Sequence, residues 1–271
     1  MHKDDHTLAA QRSAGRKQED GLWETAKVII QALAIAFFVR TFFYQPFNIP
    51  SSSMYPTLKV GDYLFVSKLS YGYGKYSFNF ALGVGDRNLI SCCPVDFPGR
   101  KVLADTPKRG DVAVFKLPTD TSIDYIKRVI GLPGDRIQMK DGVLYINDVA
   151  VPKERVADYV DPDGEGHGMP VPQYRETLPN GVTYNVLDLT ENGSADNTSV
   201  YEVPEGHYFM MGDNRDNSQD SRYLDVVGYV PIENYVGRAD IIFFSISPDA
   251  VLWRPWEWPF LTRWMRFFNF I

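Results

Sequence analysis

Cysteine, histidine and excess positive charge are all scarce in this chain. Its two cysteines, Cys92 and Cys93, are adjacent, so they offer neither a disulfide framework nor the spacing of metal ligands. A vicinal disulfide and two free thiols both stay open. The formal net charge of -6 lacks the basic excess that is typical of nucleic-acid-binding domains. The composition therefore predicts no nucleic-acid partner and no disulfide-stabilised scaffold.

Histidine offers little for catalysis, because only 4 of the 271 residues are histidine. His2 and His6 lie in a polar N-terminal stretch, His167 lies in a glycine-rich loop, and His207 directly precedes an apolar run. A His-based catalytic triad would need His167 or His207, and neither has neighbours that suit one. Any nucleophile in this chain is therefore expected to use another base.

A single hydrophobic run of membrane length lies near the N-terminus. Residues 1–22 are polar with no apolar periodicity, which predicts a disordered tail. Residues 23–44 are apolar on nearly every face and reach the length that spans a bilayer. Positive side chains precede this run, so the positive-inside rule places the tail in the cytoplasm and residues 45–271 across the membrane. These side chains are Lys3, Arg12, Arg16, Lys17 and Lys27.

Two other interpretations of residues 23–44 compete with an uncleaved transmembrane anchor. A buried helix of a soluble protein is the first, although surface helices of such proteins are seldom apolar all round. A cleaved signal peptide is the second, since Ala32, Ala34 and Ala36 offer small residues at suitable spacing. That leader would be long, and the apolar run continues past the alanines to Val39. An uncleaved anchor is therefore the prediction.

Strand patterns dominate residues 45–271. Short β-branched or aromatic runs alternate with turn residues, and no long amphipathic helix pattern follows the anchor. The predicted fold class is mainly β: one transmembrane helix, then an antiparallel β domain with a loop-rich β insertion at about residues 137–205. Residues 253–271 are dense in Trp, Phe and Arg, which suits either a bilayer interface or a cap on the β core. Turns inside the insertion are expected at Asp141-Gly142, near Asn147-Asp148 and around Asn180-Gly181.

The first polar cluster, residues 49–58, reads Ile-Pro-Ser-Ser-Ser-Met-Tyr-Pro-Thr-Leu. Pro50 and Pro56 restrict their own φ and favour an extended conformation in the residues before them. A backbone held in this way can present its serines to a second extended chain. A Ser/Pro-rich linker with no further role is the other interpretation.

A base for such a serine is expected among the lysines, because a serine attacks a carbonyl only when a base accepts its proton. Lysine must first be desolvated, since its ordinary pKa of about 10.4 keeps it protonated at neutral pH. Strand alternation places Lys127 on one face with Ile123, Tyr125 and Val129. A lysine on such a face either extends its amine to solvent or is held neutral for a function.

The last polar cluster is residues 212–222. An EF-hand calcium loop fails here, because Ser221 and Val227 replace the glycine and glutamate that such a loop needs. A polar loop held by hydrogen bonds between side chains and backbone is one interpretation. A supporting cluster for a catalytic group is the other. The side chains available for that purpose are those of Ser218, Asp220 and Arg222.

These clusters resemble the bacterial type I signal peptidases. The matching stretches are Ile49-Pro-Ser-Ser-Ser-Met-Tyr-Pro-Thr-Leu, Arg109-Gly-Asp-Val-Ala-Val-Phe, Tyr125-Ile-Lys-Arg-Val-Ile-Gly-Leu-Pro-Gly-Asp135 and Gly212-Asp-Asn-Arg-Asp-Asn-Ser-Gln-Asp-Ser-Arg222. The resemblance implies a membrane-bound serine endopeptidase that removes N-terminal signal peptides from exported preproteins after Ala-x-Ala-like sites. It implies a Ser–Lys dyad, no metal and no organic cofactor. It places the enzyme in the inner (plasma) membrane, with its catalytic domain on the periplasmic or extracytoplasmic side.

The resemblance also assigns roles to single residues. By it, Ser53 matches the nucleophile and Lys127 the general base. Ser51 and the Ser53 amide would bind the oxyanion, and Ser218 would position the ammonium of Lys127, with Asp220 and Arg222 as a supporting pair. Small apolar pockets that select Ala-x-Ala would be lined by residues similar to Phe47, Ile49, Pro50, Met54, Leu58, Tyr125 and Ile126.

Three features depart from the family's pattern. Ser52 stands where a glycine is common, which leaves three consecutive serines at the nucleophile. The family's best-known member has two anchoring helices, whereas this sequence predicts one. That member also has a spaced cysteine pair, so the adjacent Cys92 and Cys93 carry over no disulfide.

Two other functions remain as alternatives. A membrane-tethered β domain that binds extended peptides without cutting them would explain the anchor and the strands, but it requires no separate polar clusters. A Ser–Lys hydrolase of the self-cleaving repressor type would use the same two side chains. Those repressors carry a DNA-binding helical domain at the place where this chain has its anchor.

Overall fold

The computed structural model describes residues 4–76, 80–84, 87–92, 105–161, 168–190, 192–251 and 253–271, without the side chains of 4–22, 80–84 and 87–92. Cys93, His167 and the side chain of Cys92 lie outside this description, so the state of the two thiols stays open. The chain divides into two units, Met1–Phe43 and Tyr44–Ile271.

The first unit is one helix, α1 (Asp4–Phe42). Its stretch Trp23–Phe42 has 20 residues and a mean hydropathy of 1.6, long and apolar enough to cross a bilayer. The helix begins at Asp4, so residues 4–22 are helical where the composition predicted a disordered tail. That tail contains many good helix formers and adjoins an existing helix, so each added residue extends that helix without a new nucleus.

The second unit is built from strands, as predicted. They are β1 (Tyr44–Asn48), β2 (Asp62–Ser67), β3 (Phe80–Val84), β4 (Arg87–Cys92), β5 (Val112–Leu117), β6 (Asp120–Gly131), β7 (Arg136–Lys140), β8 (Val143–Ile146), β9 (Val149–Ala150), β10 (Lys153–Arg155), β11 (Gln173–Thr177), β12 (Thr183–Leu187), β13 (Tyr201–Glu202), β14 (His207–Met211), β15 (Val230–Pro231), β16 (Tyr235–Ser245) and β17 (Asn269–Phe270). A short helix, α2 (Trp258–Leu261), precedes β17.

The main sheet has the order β1-β2-β16-β5-β6-β14-β15, with β17 pairing on β16, and its pairs are antiparallel. Strand β5 is buried along its whole length, as its continuous apolar run Val112–Phe115 requires. Strand β6 begins in exposed residues and becomes buried from Lys127 onward. This buried half of β6 carries the candidate base into the interior.

The predicted insertion folds into two smaller sheets, β13-β7-β8-β9 and β10-β11-β12. Its turns lie where the sequence placed them. Asp141, Asn147 and Gly181 have positive φ values of 47°, 52° and 84°, which the Asp, Asn and Gly of such turns tolerate. The mainly β, antiparallel fold class predicted from the sequence is therefore confirmed.

The C-terminal segment both packs on the sheet and exposes aromatic rings. Ile271 packs against the core cluster beneath β2, and Arg266 forms an ion pair with the buried Asp62 at 2.5 Å. In contrast, Trp253 is 80% exposed and Phe260 is 90% exposed. Part of the segment is thus a cap, and contact of its exposed rings with lipid stays a prediction.

Candidate active site

The serine cluster forms a tight turn between β1 and β2. Backbone hydrogen bonds from Ile49 to Asp62 (2.9 Å) and from Gly61 to Ile49 (3.0 Å) close the base of this connection. At its tip, Ser52–Met54 form a single 3₁₀ turn. Tyr55 is extended, with φ of -61° and ψ of 142°, as a residue before proline prefers. The turn places Ser53 inward, where it is 7% exposed.

The side chains of Lys127 and Ser53 are in contact although the two residues lie 74 positions apart in the sequence. Its Nζ lies 2.6 Å from Ser53 Oγ, within hydrogen-bond distance. Lys127 is 4% exposed. This burial lowers its pKa to about 8, an effect that the charge of Arg222 reinforces and those of Asp220 and Asp213 oppose. The sequence left two alternatives for the Lys127 amine, extension to solvent or burial, and in the structure the amine is buried.

Ser51 lies at the entrance of the pair. Its backbone is extended and exposed, and its Oγ is 3.3 Å from Ser53 Oγ. Besides this hydroxyl, the turn offers the N–H of Ser53. The first amides of a helical turn have no acceptor within that turn, so this N–H is available to an outside oxygen. An oxyanion that forms on a carbonyl attacked by Ser53 would meet both donors.

The side chains of the cluster at residues 212–222 converge on the buried Asp220. Arg222 donates to both Asp220 oxygens, at 2.8 and 2.9 Å, and Ser218 Oγ donates to Oδ2 at 2.7 Å. Burial raises the pKa of Asp220, but the charge of Arg222 and the donated hydrogen bonds outweigh it, so the pKa lies below its ordinary value. Ser218, predicted to position the Lys127 ammonium, donates its hydroxyl hydrogen to Asp220.

The register of the main sheet brings this cluster to the dyad. Met211, at the end of β14, pairs with Arg128 on β6, so the chain leaves the sheet directly beside Lys127. The next residue is Gly212, and a Cβ there would lie 2.3 Å from Ser218 Oγ and 2.6 Å from the Ser53 carbonyl oxygen. Only a residue without a side chain allows this close approach. We infer that a larger residue at position 212 would separate the cluster from the nucleophile turn.

The residues expected to line substrate pockets lie at two depths. Met54 and Leu58 are 0% exposed and belong to the core cluster beneath the turn, together with Ile49. They set the shape of the site from behind. The remaining four are accessible to a second chain, since Pro50 is exposed and the others are half-buried; these others are Phe47, Tyr125 and Ile126.

Two buried ion pairs beside the dyad were not predicted from the sequence. Arg128 donates to both oxygens of Asp213, at 2.8 and 2.6 Å, and Thr57 Oγ1 donates to the same carboxylate at 2.5 Å. Arg215 binds Glu176 in the same two-bond manner, at 2.7 and 2.6 Å. Two features of the sequence could have indicated these pairs. Strand alternation points Arg128 away from Lys127. Charged residues inside a turn-rich motif also need partners of opposite charge once they are buried.

One acidic cluster has the spacing of a cation site. Ligand oxygens of Asp188, Asp196 and Asp216 lie within 4.8 Å of one another. Part of their charge is balanced by protein groups, since Lys153 pairs with Asp188 and the Leu189 N–H donates to Asp216 at 2.6 Å. The dyad itself offers a hydroxyl and an amine rather than carboxylates, and its chemistry needs no ion.

Comparisons with known proteins bear on the family to which this chain belongs. The family model described as "Signal peptidase, peptidase S26" matches residues 22–244. Signal peptidase I of Rickettsia typhi is 43% identical over 219 residues, covering 79% of this chain and 76% of that protein. Signal peptidase I of Rickettsia akari is 42% identical over 229 residues, covering 82% and 78%. The crystal structure of a signal peptidase I from Enterococcus faecalis V583 is 28% identical, covers 49% of this chain and 97% of its own, and superposes with a TM-score of 0.29. The chain belongs to the signal peptidase family, peptidase S26.

Proposed function

We propose that this chain removes N-terminal signal peptides from exported preproteins, with Ser53 as the nucleophile and Lys127 as the general base. Membership of the signal peptidase family supports the serine endopeptidase class. The observation that carries the assignment of the dyad is the 2.6 Å contact between Lys127 Nζ and Ser53 Oγ in a buried site. A lysine whose pKa is lowered to about 8 is neutral in a useful fraction of molecules near neutral pH.

The proposed reaction has two halves. Ser53 Oγ bonds to the scissile carbonyl carbon while its proton moves to the neutral amine of Lys127. The Ser53 N–H and the Ser51 hydroxyl donate to the oxyanion. When the C–N bond breaks, the Lys127 ammonium protonates the leaving amine, and an acyl-enzyme remains. Lys127 then takes a proton from water as the water oxygen bonds to the ester carbonyl carbon. When the bond from that carbon to Ser53 Oγ breaks, the Lys127 ammonium returns the proton to Ser53 Oγ, and the product leaves with a new carboxyl group.

We expect an extended peptide with small side chains to bind at the exposed and half-buried residues beside the dyad. Pro50 is exposed beside the nucleophile turn, and Tyr125 and Ile126 are half-buried on the strand that carries Lys127. Met54 and Leu58 have no exposed surface and pack beneath these residues. Shallow apolar pockets of this kind exclude large residues more effectively than they favour one small residue over another. If the residues beside the dyad form such pockets, the enzyme selects Ala-x-Ala-like sites.

The membrane placement is part of the same proposal. The helical stretch Trp23–Phe42 anchors the chain in the inner (plasma) membrane, and lipid is therefore a binding partner. Lys3, Arg12, Arg16 and Lys17 precede Trp23, and by the positive-inside rule they favour a cytoplasmic N-terminus. The catalytic unit, Tyr44–Ile271, then lies on the side to which preproteins are exported.

The experiment that tests this function uses the purified full-length chain in detergent and a preprotein with one Ala-x-Ala site. We expect one cut directly after the second alanine, identified by sequencing the new N-terminus. The matched control is the same preprotein with tryptophan in place of either alanine, which we expect to bind poorly and stay uncut. A preprotein that binds but is never cleaved would instead favour the peptide-binding β domain.

The pH dependence of cleavage follows from the state of Lys127. The base must be neutral to act, and its pKa is lowered to about 8, so activity rises as pH increases through that value. Between pH 7 and pH 9 we expect kcat/KM to increase by about tenfold, with a slope of one below the midpoint. Initial rates across this range, with stability checked at each pH, measure it. A midpoint near 10 would show that Lys127 is not desolvated in solution.

A further inference from the structure

The loop after β14 donates hydrogen bonds to two successive carbonyl groups of the nucleophile turn, those of Ser52 and Ser53. Asn214 Nδ2 donates to the Ser52 carbonyl oxygen at 3.1 Å, and the backbone N–H of Asn214 donates to the Ser53 carbonyl oxygen at 3.1 Å. The Ser52 carbonyl also accepts the Tyr55 N–H at 3.1 Å. Two donors therefore fix this carbonyl, and one residue of the loop bonds the carbonyls on either side of the nucleophile.

The direction of the Ser53 N–H follows from that of the Ser52 carbonyl. Both groups belong to one planar trans peptide unit, in which the N–H and the C=O point in opposite directions. A donor that fixes the carbonyl therefore fixes the amide hydrogen as well. Hydrogen bonds to the carbonyl also polarise the peptide unit and strengthen its N–H as a donor. The side chain of Asn214 is thus coupled to one of the two groups that would bind the oxyanion.

A second hydrogen bond joins the same two segments. Asn217 Nδ2 donates to Ser52 Oγ at 2.7 Å, and the Asn217 N–H donates to the Asn214 carbonyl at 3.2 Å. This hydrogen bond depends on the hydroxyl of Ser52, a residue that stands where the family commonly has glycine. The loop itself is held by Leu187, which bonds the backbone on both sides of Asn214, at 2.8 and 2.9 Å.

We infer that Asn214 is a positioning residue that aims the Ser53 amide at the acyl oxygen of the substrate, and that the Asn217–Ser52 hydrogen bond reinforces this aim. The inference rests on the function proposed above. Asn214 is 6% exposed, and its Oδ1 has no hydrogen-bond partner in the described part of the chain. Its side chain thus acts on the turn through its donor half alone. Asn214→Ala removes that donor but leaves the Tyr55 N–H on the Ser52 carbonyl and the Asn214 N–H on the Ser53 carbonyl, so the turn keeps part of its support.

The test compares two ligands that differ only in their reactive end: an Ala-x-Ala peptide aldehyde and the corresponding peptide alcohol. Ser53 Oγ adds to the aldehyde carbon with transfer of its proton to Lys127, and the resulting oxyanion occupies the same place as in the reaction. The alcohol has no carbonyl to attack, so it reports binding of the peptide alone. Affinities for both ligands are measured together with kcat, KM and Tm.

For Asn214→Ala we expect kcat and aldehyde affinity each to fall by about 10- to 100-fold, because a donor is misdirected rather than removed. KM and alcohol affinity should change by less than about twofold, as for an interaction made only in the transition state. Ser52→Ala and Asn217→Ala should each lower aldehyde affinity by a smaller, equal factor. The double variant should lose no more than either one, since both remove the same bond.

Two results for Asn214→Ala would overturn the inference. The first is unchanged aldehyde affinity in Asn214→Ala. The second is a parallel loss of aldehyde affinity, alcohol affinity and Tm, which would mean a merely structural role. If Asn214→Ala does not fold, the double variant of Ser52→Ala and Asn217→Ala provides the test. Losses of aldehyde affinity that add in the double variant would contradict the inference. A wild type that binds the aldehyde no better than the alcohol would mean that the proposed nucleophilic chemistry is wrong, and the inference would fail with it.

Discussion

Ser53→Ala is expected to reduce preprotein cleavage by about 10⁴- to 10⁶-fold, the loss typical of removing a serine nucleophile that works with one base. Of the three consecutive serines, Ser53 is the one whose Oγ lies 2.6 Å from a buried amine. The Ser51 hydroxyl lies 3.3 Å from Ser53 Oγ and the Ser52 hydroxyl accepts a hydrogen bond from Asn217 Nδ2, whereas the contact with Lys127 Nζ belongs to Ser53. The measurement is single-turnover cleavage of an Ala-x-Ala preprotein by the full-length variant in detergent.

The matched control for that variant is Ser122→Ala. Ser122 lies on the exposed part of β6, where its hydroxyl donates to Asp120 at 2.7 Å, far along the strand from the buried half. This variant should cleave within about twofold of wild type, as exposed substitutions away from special features usually do. Binding of the preprotein should survive in Ser53→Ala, because the residues accessible to substrate are unchanged. Substantial cleavage by Ser53→Ala would assign the nucleophile to a neighbouring serine.

The course of the strands could be predicted because local signals and the tertiary fold agree. Asp141 and Gly181 have the positive φ values that Asp tolerates and Gly adopts freely in turns, and the apolar runs between the turns become buried strands. The tail before Trp23 could not be predicted in the same way. Its polar composition favours disorder when it is considered alone, but the adjoining apolar helix supplies a nucleus that composition does not report.

The site could be predicted only where chemistry is local to the sequence. Alternation along β6 was enough to place Lys127 among apolar neighbours, and the two prolines indicated an extended approach to the serines. The partner of Arg215 could not be predicted, because Glu176 belongs to the inserted sheet and contacts Arg215 only through tertiary packing. The role of Ser52 was also hidden, since it depends on a loop that begins at Gly212 and returns to the nucleophile turn. Contacts of this kind follow from strand register rather than from residue type.

Lys127→Met is expected to abolish cleavage while making the folded chain more stable. The substitution keeps a long, unbranched side chain but removes the amine that is hydrogen-bonded to Ser53 Oγ and can accept its proton. Loss of a general base that acts together with its nucleophile lowers kcat by about 10³-fold or more. Burial lowers the pKa of Lys127 from 10.5 to about 8, which corresponds to a cost of about 3 kcal/mol to the folded state at pH 7. Methionine removes that cost.

The pH dependence of the stability change distinguishes this effect from ordinary repacking. The unfolded chain binds the lysine proton more tightly than the folded chain, so the cost is fully present below about pH 8 and is lost as pH rises through 10.5. The gain in stability of Lys127→Met over wild type should therefore be largest at pH 7 and shrink toward pH 10.5. A control is Lys116→Ala on the neighbouring strand, where a buried lysine pairs with Asp124 at 3.0 Å and cleavage should persist. If Lys127→Met were less stable than wild type at pH 7, or kept more than a few per cent of activity, Lys127 would not be a desolvated base. Full inactivity with a pH-dependent gain in stability would instead show that the same burial which makes the amine reactive also costs the fold part of its stability.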